Sequence, residues 1–394
     1  MNWNSYSTHL ANEKLASARL REPPLIALLI KRTYDIDDHG KCHLADEQHP
    51  IYEDMIPYEE VPPPRISPPK WDNDLFAFKE MTDVIIQGSA HSYGKLLRET
   101  VVRVHFSNIS RSIKVYGHRK CVWDRTGHLQ FTPPEPFEKI PLRYDCAYGG
   151  QDVIALKRYG DPVEETFDFI RPEWKLSTTS PYHYPRNPAG KGFLVEADRE
   201  SVEAIELPNL EWLEDPITPE RLAIGSVKKW PQGPLPAAFD WYEQSWFPRI
   251  ACLGITPESE VSLKDILEIN LGWIPKEVVE KHSCLDQQMH PFFVQGASPG
   301  LSIKSLKPNE IFLLENLFPK KPQMVIQLPD EVPEAMIKLP MKGKLDLKPF
   351  LNTVAIQSDE GKLIMVWSCR AAVQRPYSPP EFDYIDYQIR WKKG

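Results

Sequence analysis

The sequence has 394 residues with 47 Lys and Arg against 55 Asp and Glu, a formal charge of −8, so it lacks the basic excess that sequence-independent nucleic-acid binding draws on. Apolar residues at 41% and charged residues at 26% exclude a chain that is disordered or fibrous throughout. Proline is the outlier: 39 residues, about twice the usual share of ~5%, limit helix because each Pro ends or kinks one.

In chain order, Asn12 to Arg21 is expected as a short amphipathic helix, and the apolar run from Leu25 to Ile36, bounded by Pro23-Pro24 and a turn, as a buried strand. Asp37-Asp38-His39-Gly40 has turn chemistry and Lys41 to Leu44 is the return strand of a hairpin. Six of the thirteen residues from Pro57 to Pro69 are proline, which predicts an extended surface connection. Asp83 to Gly88, Thr100 to Phe106, Ser112 to His118 and Cys121 to Phe131 read as an antiparallel meander, with a Gly-containing hairpin loop at Trp123 to His128.

The stretch from Pro133 to about Pro248 is rich in Pro and Trp and predicts long ordered loops. Helical spacing is best from Val261 to Val279. A second β block follows, with strands expected at Phe292 to Val294, Glu310 to Leu314, Met324 to Leu328, Thr353 to Gln357 and Lys362 to Ser368. The expected architecture is mainly β, antiparallel and sandwich-like, with a few short helices and long Pro-rich loops. Residues 1–250 form an N-terminal body, 251–285 a short helical segment, and 286–394 a C-terminal β block packed into the same body.

Leu25 to Ile30, the longest apolar run, is far short of the ~20 residues that span a bilayer, and no such run opens the chain behind a basic start, so a cytoplasmic location is expected without membrane or nucleic-acid partners. Cys42, Cys121, Cys146, Cys252, Cys284 and Cys369 are scattered singly, without zinc spacing, and are expected as free thiols.

Templates for catalysis fit poorly. Asn187 to Gly192 resembles a phosphate loop, yet Pro185 and Gly192 stand where the first glycine and the hydroxyl residue belong, so a structural turn is expected. Ser92 in Ala90-His91-Ser92-Tyr93-Gly94 lacks one glycine of a nucleophile elbow and the helix that should follow. Asp35, Asp37, Asp38, His39, His43 and His49 are potential metal ligands, but a solvated hairpin tip has the same composition. Asp145 and Asp152, with His183, are the residues that a glycan-binding or glycan-hydrolysing alternative would use. No catalytic residue, metal or cofactor is assigned.

The order of short motifs says more than any one of them. It runs through Lys31 to Asp35, Asp83 to Ala90, Val115 to Arg119, Pro136 to Gly150, Asn187 to Phe193, Leu207 to Glu211, Trp246 to Arg249, Asp286-Gln287 and Thr353-Val354. This series resembles the domain-of-unknown-function family encoded beside type VI secretion systems, over roughly residues 20 to 370. The resemblance implies a cytosolic bacterial adaptor, or chaperone, whose partners are a toxic effector and the valine-glycine-repeat spike with its PAAR tip. It implies structural roles for Arg143, Tyr144, Gly149, Gly150, Asn187, Gly190 and Gly192, and it supplies no catalytic residue. From composition, Trp230, Trp241, Tyr242, Trp246, Phe247 and Arg249 are the expected partner-binding residues, because Trp, Tyr and Arg dominate interface hot spots. The same aromatics would equally fill a seam between the two β blocks.

Overall fold

Two sheets carry the fold, and each draws strands from both halves of the sequence. The computed structural model describes residues 12–18, 23–59, 66–160, 182–225, 227–249, 291–340 and 342–394. The larger, nine-stranded sheet runs β1 (Glu13–Ala18), β2 (Leu25–Ile36), β21 (Lys362–Ala372), β20 (Gly343–Gln357), β19 (Glu331–Leu339), β22 (Asp386–Lys393). On it, β3 (Cys42–Leu44) pairs with β2, while β6 (Thr82–Gln87) lies parallel to β20 and antiparallel to β16 (Ser302–Ile303). The five-stranded sheet runs β15 (Leu210–Trp212), β9 (Ile109–Tyr116), β8 (Glu99–Phe106), β17 (Ile311–Phe318), β18 (Lys321–Gln327).

Short two-stranded ladders join β4 (Ile56–Pro57) to β5 (Pro69–Trp71), β7 (Ser89–His91) to β12 (Lys139–Pro141), β10 (Cys121–Trp123) to β11 (Leu129–Phe131) and, in parallel, β13 (Tyr148–Gly149) to β14 (Lys191–Gly192). The α-helices among the described residues are short: α1 (Val153–Tyr159), α2 (Arg199–Ala204) and α3 (Pro379–Phe382). The protein is mainly β, with largely antiparallel sheets and a few short helices.

Burial explains which strand goes where. Strand β8 alternates, with Val102, Val104 and Phe106 inside and Arg103 and His105 outside, so it suits a sheet with one wet face. Every residue of β6 is buried, and β2 is nearly as buried, so both belong in the middle of a sheet covered on both faces. In β2, Ile26, Leu28 and Ile30 face the main core, which also contains the inner residues of the five-stranded sheet, while Ala27 and Leu29 pack on Ile51 and Ala77 behind. A second apolar cluster, around Tyr148, Tyr184, Phe193, Leu222 and Trp230, orders the Pro-rich middle of the chain.

Several local expectations change. The segment expected as an N-terminal helix is β1, because Leu15 gains more from burial against β2 than a short isolated helix offers. The expected meander divides: β6 enters the large sheet, β8 and β9 form a hairpin in the five-stranded one, and β10 and β11 stand alone around the Asp124–His128 loop. Pro291–Val294 is a 3₁₀ turn and not a strand. β19 and β22 were not foreseen, since Pro333 interrupts the strand reading of the first and charged residues that of the second. The helical reading of Val261 to Val279, like Cys252, Cys284 and Asp286-Gln287, lies outside the described residues.

Candidate functional site

The two most specific motif segments lock together backbone to backbone. Strand β13 pairs with β14, Gly150 N–H donates to Asn187 O at 2.7 Å, and Lys191 N–H donates to Ala147 O at 3.0 Å. Asn187, fully buried, uses its side-chain amide to cap the turn, donating to Tyr144 O at 2.8 Å and Tyr148 O at 3.0 Å. Glycine is required here by proximity: a Cβ on Gly149 would lie 2.1 Å from Asn187 O, and one on Gly190 2.6 Å from Ala147 O. Gly150 and Gly192 are equally tight, against Gly190 O and Pro208. The phosphate-loop lookalike is thus a structural turn, stitched to the Tyr148-Gly149-Gly150 strand.

Tyr144 is buried behind this turn, its hydroxyl 2.6 Å from Ser298 Oγ and its ring against Tyr242 and Trp246 at 5.2 and 5.6 Å. The segment expected to be a docking surface is here too. Trp230, Trp241, Tyr242, Trp246, Phe247 and Arg249 are each at most 2% exposed, so none of them forms a free surface. Trp230 and Phe247 pack in the second cluster, 5.2 Å apart, while Trp241, Tyr242 and Trp246 belong to the main core. Arg249 joins three segments of this seam through an ion pair with Asp72 at 3.0 Å, a hydrogen bond to Phe293 O at 3.0 Å and another to Tyr242 O. The composition that marks a hot spot equally marks an aromatic core closed by a paired arginine, and burial decides for the core.

Outside the stitched turn is a cleft of about 490 Å³. Arg143 and Asp145, Gly150 to Ile154 and Pro188 to Leu194 form two of its sides, α2 contributes a third, and Glu59 with Ile66 to Pro68 of the Pro-rich connection a fourth. Its walls mix apolar side chains with polar and charged ones, and Val153, among the apolar lining, is 56% exposed. Lys191 lines it and forms no ion pair among the described residues. Arg143 is held in place, stacked 4.5 Å over the Tyr58 ring and paired with Asp145 through Nε at 3.1 Å and Nη2 at 2.5 Å.

The catalytic candidates have other work. Asp152 caps α1, accepting Ala155 N–H and Val195 N–H at 2.9 Å each, so both oxygens are committed to backbone. Asp145 is occupied by Arg143, and His183 bridges Gln151 across the backbone. Ser92 is a buried turn residue whose N–H donates to Glu138 O. In the Asp37 hairpin the carboxylate accepts His39 and Lys41 N–H groups, as a tight turn demands. No group of three or more His, Cys, Asp or Glu among the described residues is placed to hold a metal ion.

A polar hub escaped the sequence reading. Asp359, in the β20–β21 turn, accepts Ser89 Oγ and His91 Nε2 at 2.8 Å each and pairs with Lys139 at 2.9 Å. Partial burial raises its pKa, but the hydrogen bonds from His91, Lys139 and Ser89 prevail and hold it at about 2. Because Ser89 donates to the carboxylate and not to His91, this is a clamp between the turn and the β7–β12 ladder, not the wiring of a nucleophile.

Fold and cleft together define a β-rich protein in which the Arg143 to Gly150 and Asn187 to Phe193 segments build the wall of a groove. The chain belongs to a family described as uncharacterized protein conserved in bacteria (DUF2169), whose model matches residues 21–368. No curated protein and no solved structure matches the chain. No helix among the described residues is long and apolar enough to cross a membrane.

Proposed function

We propose that this protein is a cytoplasmic adaptor of a type VI secretion system, which binds a toxic effector and helps to load it onto the spike, and that the motif-built cleft receives part of that partner. The resemblance supplies the partner class. The observation that carries the reading is the placement of the motifs: the Arg143 to Gly150 and Asn187 to Phe193 segments converge on one groove of about 490 Å³ with mixed polar and apolar walls and with Lys191, which forms no ion pair among the described residues. Such a groove suits an extended polypeptide segment, with the apolar part of its walls giving affinity and Lys191 register.

Co-purification of the chain from its host with mass spectrometry tests this directly. Recovery of a secretion effector or a spike component is the expected outcome, and Val153→Asp, a charge at the exposed mouth of the cleft, is expected to weaken capture at least tenfold without altering the melting temperature. Recovery of neither, with both expressed, sinks the adaptor reading. Undiminished capture by the Val153 variant moves the contact away from the cleft.

A further inference from the structure

A second, smaller pocket of about 220 Å³ shares Arg143 with the cleft. Behind it stands a chain of buried amides. Gln87 Nε2 donates to Lys70 O at 2.6 Å, to Asp240 Oδ1 at 2.9 Å and to Tyr58 Oη at 3.1 Å. Since a backbone carbonyl can only accept, this fixes which way the Gln87 amide points and leaves its Oε1 facing Gln357. Gln357 Nε2 fills that place, donating to Gln87 Oε1 at 3.0 Å. Its own Oε1 is thereby left as an acceptor, buried and without a hydrogen-bond partner, on a residue that is 5% exposed and lines the pocket. An unmatched acceptor at such a depth costs free energy until a donor reaches it.

The remaining polar lining narrows the donor. Arg143 is already engaged by Asp145 and Lys139 by Asp359, whereas the exposed Lys70 and Glu360 form no ion pair among the described residues. An ammonium group could pair with Glu360, but it offers no acceptor to Lys70 and would enter beside Lys139 and Arg143 as well. A carboxylate would set acceptor against acceptor at Gln357 Oε1 and Asp359. A primary carboxamide meets both demands, donating N–H to Gln357 Oε1 while its carbonyl accepts from Lys70 Nζ. We propose that this pocket receives the side-chain carboxamide of an asparagine or glutamine from a polypeptide seated in the adjoining cleft. The proposal rests on the binding role argued above and names one side chain that the partner must offer.

The test is a ¹H–¹⁵N titration of the full chain with N-acetylglutamine N-methylamide, whose one primary carboxamide is the side chain, and with N-acetylglutamate N-methylamide as the charged counterpart. A saturable shift of the Gln87 and Gln357 side-chain amides is expected with the first probe alone, weakened about tenfold in Lys70→Met and lost in Gln357→Leu. Because Gln357→Leu also leaves Gln87 Oε1 unmatched and can lower stability, Lys70→Met, a change at an exposed side chain, is the deciding variant. Equal shifts with both probes, an unchanged shift in Lys70→Met, or none up to about 50 mM, where even a millimolar site would saturate, overturns the proposal and leaves the pocket to water. Capture of the effector by the native chain is scored separately: capture without probe binding sinks the pocket alone, and probe binding without capture sinks the adaptor reading alone.

Discussion

Gln87 and Gln357 stand opposite one another at the ends of β6 and β20, and their side chains are hydrogen-bonded at 3.0 Å. Parallel register sets this up, pairing Asp83 to Gln87 one for one with Thr353 to Gln357. Val84, Ile85 and Ile86 lie opposite Val354, Ala355 and Ile356, and each apolar run closes on one buried amide. The two amides then link a buried acid, Asp240, to a pocket beside the motif-built cleft.

Asp240 should give stability an unusual pH dependence. Burial pushes its carboxyl up to about 7, against the hydrogen bonds from Tyr58, Trp241 N–H and Gln87 and the charge of Arg143, which favour the ionised form. Its folded value lies above that of an unfolded chain, so between about pH 4 and pH 7 the folded state holds a proton that the unfolded state has released. Stability from this group is complete below about pH 4 and falls as pH rises through the window. Relative to Asp240→Asn, the native chain is expected to lose on the order of 3 kcal/mol between pH 4.5 and 7.5 in chemical denaturation. Parallel pH profiles for the two proteins would show that Asp240 is ionised throughout.

Much of the scaffold was legible because it rests on local chemistry. The apolar runs at Leu25 to Ile36 and Asp83 to Gly88 specify buried strands, and the Asp37 and Asp124 turns announce their hairpins through Asp and Gly. Which sheet each strand joins was not legible, since β6 beside β20 is a pairing across some 270 residues. The glycine turn was legible from Asn187 to Gly192, but not the groove that it walls, because Glu59, Val153 and Lys191 meet there only through the fold. Gln87 and Gln357 did leave a trace: Val-Ile-Ile-Gln-Gly-Ser at 84–89 and Val-Ala-Ile-Gln-Ser-Asp at 354–359 both end an apolar run in Gln followed by small or polar residues. The aromatic segment misled, since Trp, Tyr and Arg are as suited to a seam as to an interface.

The thiols offer a check on burial. Cys42, Cys121, Cys146 and Cys369 are free, and burial pushes them up to about 12, 11, 11 and 12. At pH 8 each is a thiolate about one part in a thousand or less, so attack on a disulfide reagent is expected to run roughly a hundredfold slower than for free cysteine. In a Cys252→Ser, Cys284→Ser chain, all four should react promptly only in denaturant, and the unaltered chain should then titrate six thiols without reductant. A count below six, or a fast native reaction in the double variant, contradicts this.

Substitution at the stitched turn separates steric contact from backbone preference. A Cβ at Gly149, where φ is +145°, meets Asn187 O at 2.1 Å, whereas one at Gly94, where φ is +74°, meets nothing within 4 Å. Gly94→Ala is expected to cost about 1 kcal/mol, the left-handed backbone penalty alone. Gly149→Ala adds displacement of a backbone carbonyl and is expected to cost about 3 kcal/mol or more in urea unfolding. Equal costs would mean that the Asn187 turn moves aside freely.

Trp241 decides whether the aromatic segment is interior in solution. Its ring is 1% exposed, 5.2 Å from the ring of Trp71, with Lys79 Nζ 5.5 Å from its centre, and its N–H on the backbone donates to Asp240 at 2.8 Å. Removing it opens a cavity in the main core, where Asp72, Asp83 and their partners are already fixed by ion pairs and cannot readily collapse into the space. Trp241→Ala is therefore expected to cost roughly 3 to 5 kcal/mol of stability, and Trp241→Phe, which keeps a ring against Trp71, distinctly less. Affinity for a captured partner, measured at a temperature where the variant is still folded, should be unchanged. A loss of binding of about 2 kcal/mol with stability intact would instead make Trp241 a hot spot, and would require the chain to open this seam when it meets its partner.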